Sequence, residues 1–125
     1  MEINMVSNVI LDILKENSDE LKIDSSNFFA QNIPQQYVDV EKTVVLVSEI
    51  HDIFTNRASD ISTAKDQMIE IQIFYRGDTD DENTQNKINQ ILEKQYFYQI
   101  DSYPDIDPVT GAFSRTMKYE HTEEI

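Results

Sequence analysis

The sequence predicts an α+β fold, an antiparallel, mostly four-stranded sheet packed on one face by two helices. Three observations predict it. A segment at the start of the chain and another after Thr79 carry apolar side chains at three- and four-residue spacing, the period of a helix. Two central segments are β-branched or alternate apolar with polar, the pattern of strands. The last third places two aromatic-rich runs on either side of Asp107-Pro108-Val109-Thr110-Gly111, which reads as a hairpin turn. Helices and antiparallel strands in separate blocks make an α+β layer structure, here in the order α-β-β-β-α-β-β.

Residues 1–16 form the first predicted helix. Ile3, Val6, Val9, Ile10, Ile13 and Leu14 share a face, while Asn8, Asp12, Lys15 and Glu16 fall mostly opposite. Asn17-Ser18-Asp19 ends it with residues that bond their own backbone. Asn27-Phe28-Phe29-Ala30-Gln31 reads as a short strand, closed by Pro34, which cannot donate to a ladder. Thr43 to Phe54 reads as a strand at least to Ile50, with Val44–Val47 buried on both faces. Thr55 to Asp60 breaks this pattern with loop-forming residues. The strand pattern resumes from Gln67 to Tyr75, where Ile69, Ile71, Ile73 and Tyr75 face one way and Glu70 and Gln72 the other. The two strands form a hairpin across a long polar loop, Thr55–Asp66, of a length that calls for a functional reason.

Thr79-Asp80-Asp81-Glu82 fits a capping box, and its carboxylates suit the positive end of a helix. The second helix buries Ile88, Ile91 and Leu92, a stripe that Gln95 or Tyr96 would extend. Its apolar face is expected to pack on the Ile69–Ile71–Ile73 face. Tyr96 to Tyr103 and Ala112 to Tyr119 are the last two strands, the latter alternating Phe113, Arg115, Met117 and Tyr119.

Composition bounds the function. The 125 residues suit one domain, 1–125, able to bury about 60% or more of its unfolded surface. Cysteine is absent, so disulfides, thiolate metal sites and cysteine nucleophiles are excluded. Gly77 and Gly111 stand 34 residues apart, and no phosphate-cradling glycine loop can be written with them. With 24 acidic against 10 basic residues the net charge is −14, which repels phosphate backbones and anionic membranes. No basic leader and no membrane-length apolar run is present, and a soluble protein is expected.

The acidic residues do not spell a site. Asp105-Ile106-Asp107 opens like a calcium loop, but Thr110 stands where glycine is needed and Thr116 where a bidentate glutamate is needed. Pro104-Asp105 follows Glu70 in the chain, and Glu70-Ile71-Gln72 lacks the lysine of a two-metal nuclease. His51 and His121 are 70 residues apart with no metal-binding spacing around either. Ser48, Ser59 and Ser62 lie in no nucleophile-elbow context. Phe28-Phe29 and Tyr96-Phe97-Tyr98 would suit base stacking only with flanking cations, whereas their neighbours are Asp24, Glu93 and Asp101 with Lys94 alone positive; core and cross-strand packing is expected instead. No catalytic residue, metal ligand or cofactor site is predicted. The loop between the central strands, with Arg57 and Lys65 in an acidic chain, is the predicted partner interface: Asn56, Arg57, Ser59, Asp60 and Lys65.

The order of these segments carries a resemblance. The helix, "NFFAQNIPQQYVDVEKTVVLVSEI", a polar loop, "QMIEIQIFYRGDTDDENTQNKINQILEKQYFY" and the closing "DPVTGAFSRTMKYEH" resemble the small tail terminator (tail completion) proteins of long-tailed phages of the lambda-like type, particularly those of Gram-positive hosts. The resemblance spans nearly the whole chain as a pattern of elements rather than a signature motif. It implies a structural virion protein at the tail–head junction, made in the host cytoplasm. Such a protein forms a hexameric ring that caps the tail tube, ends its polymerisation and presents a surface for the head. The implied partners are further copies of itself, the major tail tube protein and a head–tail connector protein. DNA would pass through the ring without specific binding, and no enzyme activity, cofactor or membrane is implied. Three other readings remain: an acidic DNA-mimic inhibitor of a DNA-binding protein, for which the carboxylates concentrate too strongly at caps and turns; a small acidic enzyme whose site is assembled from distant positions; and a head–tail joining protein.

Overall fold

The computed structural model describes residues 5–34, 41–58 and 61–124. Its elements run α1 (Val6–Glu16), α2 (Ser18–Leu21), a 3-10 turn (Ser25–Asn27), β1 (Phe28–Ala30), β2 (Val44–Ala58), β3 (Ile61–Phe74), α3 (Asp81–Glu93), β4 (Tyr98–Ile106) and β5 (Phe113–Glu124). The fold is α+β, as expected, but the sheet has five strands in the order β1-β2-β3-β5-β4 and is mixed rather than antiparallel. β1 joins β2 in parallel, with Phe28 opposite Val45 and Ala30 opposite Val47. Residues 31–43 separate the two, enough chain for the crossover that parallel neighbours require.

α1 delivers Ile10 and Leu14 to the core with no exposed surface. Val9, placed on the buried stripe by spacing, lies instead at its margin and is exposed, and Ser7 takes a buried position. Ile3 belongs to residues 1–4, outside the described residues. Asn17 ends α1 as expected, its side-chain amide donating to the Ile13 carbonyl at 2.8 Å. A further turn, α2, then starts at Ser18 and seats Leu21, with Ile23 buried just beyond it.

α3 begins one residue later than the capping box predicts. Asp80 is its N-cap and makes no side-chain cap bond. Ile88, Ile91 and Leu92 are buried as expected, in one cluster with Ile69, Ile71 and Ile73. The stripe does not continue into Gln95 and Tyr96, because the helix has already stopped. Tyr96 adopts the left-handed conformation at φ 64°, and the Phe97 amide donates back to the Leu92 carbonyl at 3.0 Å. This reversal is a common helix ending, usually made by glycine. It buries Phe97 and leaves Tyr96 exposed.

The largest departure lies in the central hairpin. Thr55 to Asp66 is not a loop: β2 and β3 stay paired through Phe54↔Lys65, Thr55↔Ala64, Arg57↔Ser62 and Ala58↔Ile61. A register shift between Glu49 and His51 resets the pairing partway along. The polar residues that mimic a loop are thus held in a backbone ladder with the facing strand.

One face of the sheet carries the core. Val45, Val47, Ile69, Ile71, Ile73, Met117 and Tyr119 pack with Ile10, Leu14, Leu21, Ile88, Ile91 and Leu92. Tyr119 is buried, yet its hydroxyl accepts from Gln99 at 3.0 Å and donates to Asn89 at 3.2 Å. Burial pushes that hydroxyl up to about 12 despite the Gln99 bond. At the top of the sheet Tyr75 stacks on Phe113 at 5.4 Å between centroids. Beside them Arg115 binds both oxygens of Asp81, at 3.0 and 3.1 Å, and so ties α3 to β5.

Candidate functional site

The residues predicted as a partner interface do not sit on a loop. Asn56 and Arg57 belong to β2, Lys65 to β3, and Ser59 and Asp60 lie outside the described residues. Lys65 is held between Phe54 of β2 and Glu123 of β5 in the ladder register. The structure therefore brings these positions together as two facing strands rather than as a projecting loop.

A different surface stands out. β4 is an edge strand, and eight of its nine residues are exposed. Tyr98, Ile100, Tyr103 and Ile106 all lie open, and Val109 in the following turn is 91% exposed. Large apolar side chains gathered on an edge strand are the usual mark of a contact surface. The strand also carries devices that blunt an edge: a register shift between Gln99 and Asp101, the carboxylates Asp101 and Asp105, and Pro104. The strand predicted from the sequence stops at Tyr103, whereas β4 runs on to Ile106 and includes Pro104, a residue without an amide proton that only an edge strand accommodates.

The hairpin tip is ordered by its own side chains. Asp107 accepts from the Val109 and Thr110 amides at 2.8 and 3.2 Å, and these bonds hold its carboxyl below the ordinary value. Gly111, at φ 73°, supplies the left-handed turn that returns the chain to β5. Asp107 is thus an internal turn acceptor, the role expected of a solvated acidic tip. Among the described residues no three His, Asp or Glu side chains stand close enough to hold a metal ion. Among the described residues no helix is long and apolar enough to cross a membrane.

At the start of β4 lies a groove of about 810 Å³, lined by Asp66, Gln67, Met68, Tyr96, Tyr98, Glu120, His121 and Thr122. The sequence places Tyr96 and Tyr98 in packing, but only Phe97 between them is buried. Phe97 stacks on the His121 ring at 4.5 Å, and His121 Nδ1 meets the Tyr96 carbonyl at 2.9 Å. Tyr96 and Tyr98 are 67% and 52% exposed. The left-handed turn at Tyr96 accounts for the split: it ends α3 and turns Phe97 to the core, while Tyr98 opens the exposed strand β4. Phe28 is buried as expected, with Phe29 half-buried beside it.

Comparison with known proteins adds one positive finding. No curated protein matches the chain. A family model described as "Protein of unknown function (DUF806)" matches residues 7–123. That span reaches from the first turn of α1 to the end of β5 and includes both β4 and the groove. The chain belongs to the DUF806 family.

Proposed function

We propose that the protein is a phage tail terminator: a structural virion component that assembles into a ring, caps the tail tube, ends its polymerisation and offers a surface to the head. The observation that carries this reading is β4, an edge strand whose Ile100, Tyr103 and Ile106 stand exposed beyond the groove at its start. Large apolar side chains left exposed along one strand offer a surface to a partner. The resemblance of the element order to tail terminators supplies the identity of that partner, namely further copies of the chain. In a ring each copy presents one surface to the next, so an edge on one side of the domain is used once per subunit. In this reading the protein carries out no reaction, needs no cofactor, and meets the tail tube protein and a head–tail connector through the two faces of the ring. The net charge of −14 suits a lumen through which DNA slides without being held.

Negative-stain microscopy and light scattering of the purified protein test it. Six-fold rings, alone or on addition of the tail tube protein, are the expected result. Ile106→Asp combined with Val109→Asp should abolish the rings while leaving the circular dichroism of the monomer unchanged. A protein that stays monomeric at roughly 100 µM, a concentration far above most assembly thresholds, and forms no ring on tubes would overturn the proposal.

A further inference from the structure

The groove at the start of β4 is a break in the sheet. β5 continues to Glu124, whereas β4 begins at Tyr98, opposite Glu120. From His121 to Glu124 the strand is paired with β3 on one side. Among the described residues, no strand lies on its other side. A strand side left open in this way can receive an extended segment of another chain through its main-chain groups.

The lining states what kind of segment fits. Tyr98, Glu120, Met68, Asp66 and Thr122 share one side of the sheet, since Tyr98 and Met68 both lie opposite Glu120 and Asp66 lies opposite Thr122. The Thr122 hydroxyl donates to Asp66 Oδ1 at 2.8 Å and steadies that carboxylate. Two carboxylates and two exposed tyrosine rings converge there, and no Lys or Arg is among the described lining residues. Carboxylates beside aromatic faces recognise cations: the rings attract a lysine or guanidinium through their π-electrons and the carboxylates bond its protons. The same sheet already does this internally, with Lys118 Nζ lying 5.7 Å from the Tyr103 ring centroid. Phosphate-bearing partners are repelled by the same groups. Tyr96 is held in the left-handed region at this spot, where glycine would be less strained, which places its ring on the groove wall.

We infer that this groove docks an extended, basic segment of a partner protein. The segment adds a strand beside His121–Glu124 and seats a lysine or arginine between the Tyr96 and Tyr98 rings and the Asp66 and Glu120 carboxylates. The inference does not depend on ring formation, and its test is read on whatever assembly the full chain forms.

The test is an amide-resolved NMR titration with the capped peptide Arg-Thr-Arg-Thr-Arg, beside the control Glu-Thr-Glu-Thr-Glu. Saturable shifts centred on the amides of Tyr98, Glu120, His121 and Thr122 are expected for the basic peptide alone. Glu120→Gln and Tyr98→Leu, both at exposed side chains, should each weaken binding about fivefold or more, and Tyr98→Phe should change it less than about twofold. If one variant fails to fold, the other decides. Three results would each overturn the inference: no saturable shift, shifts centred instead on the acidic segments 80–82 and 101–107, or undiminished binding by the folded variants.

Discussion

At the scale of single residues, the side chains that join elements matter more than those that decorate them. Asp78 lies in the turn after β3, and its carboxylate accepts from both the amide and the hydroxyl of Thr43, the residue that leads into β2. Thr43 is fully buried, so its amide has no water to turn to if Asp78 is lost. Burial raises the Asp78 carboxyl, but the Thr43 hydroxyl and amide outweigh it, and the group sits below its ordinary value of 3.8. A depressed carboxyl stabilises the fold above its unfolded value, and that stability is lost as pH falls through the folded value. Asp78→Asn should therefore lower stability by about 1 kcal/mol at neutral pH, a modest figure because the carboxylate is largely exposed. The deficit relative to the parent chain should shrink when denaturation midpoints are compared below pH 3.8, the unfolded value. An equal deficit at neutral and acid pH would show that the charge on Asp78 is irrelevant. Asp78 is legible in the sequence as one more acidic turn residue. Its partner is not, because Thr43 lies 35 residues away and nothing local to either residue points to the other.

At the scale of elements, the apolar stripes were the most readable feature. Ile69, Ile71, Ile73, Ile88 and Leu92 alternate or recur at their proper periods and are all fully buried. Leu92→Ala should cost about 2–5 kcal/mol in a denaturant titration, the range for deleting a buried leucine from a packed core. A change below about 0.5 kcal/mol, the scatter of surface substitutions, would mean that α3 does not rest on the sheet. What periodicity could not show was the outer half of the β2–β3 hairpin. Strand formation at Thr55, Asn56 and Arg57 comes from cross-strand pairing with Ser62 to Lys65, a tertiary effect that overrides weak local propensity. β1 was legible as a short strand, but its parallel pairing was not, since strand direction depends on the path of the intervening chain. The exposure of β4 was not legible. The strand predicted from the sequence stops at Tyr103, short of Pro104, whose place inside β4 is compatible with an edge alone, and the aromatic triplet pointed to packing for all three residues.

At the scale of the whole molecule, charge and apolar surface oppose each other. Copies carrying −14 each repel at a distance, and the β4 surface attracts only on contact. Salt screens the first term, with a Debye length of about 10 Å at 0.1 M shrinking to about 3 Å at 1 M, and leaves the second largely untouched. Self-association should therefore tighten as salt rises from about 50 to 500 mM, the range over which that length shortens severalfold. Sedimentation velocity at fixed protein concentration measures this as an increase in weight-average mass with salt. Duplex DNA is the opposite case. A phosphate backbone meets no compensating apolar contact on this surface, and a mobility-shift assay at physiological salt should detect no complex. If self-association instead weakened with salt, ion pairs between copies would be the dominant contact, and the cations of β2 and β3 would return as candidates in place of β4. The two experiments thus separate an apolar edge from an ionic one without presupposing the number of subunits in the assembly.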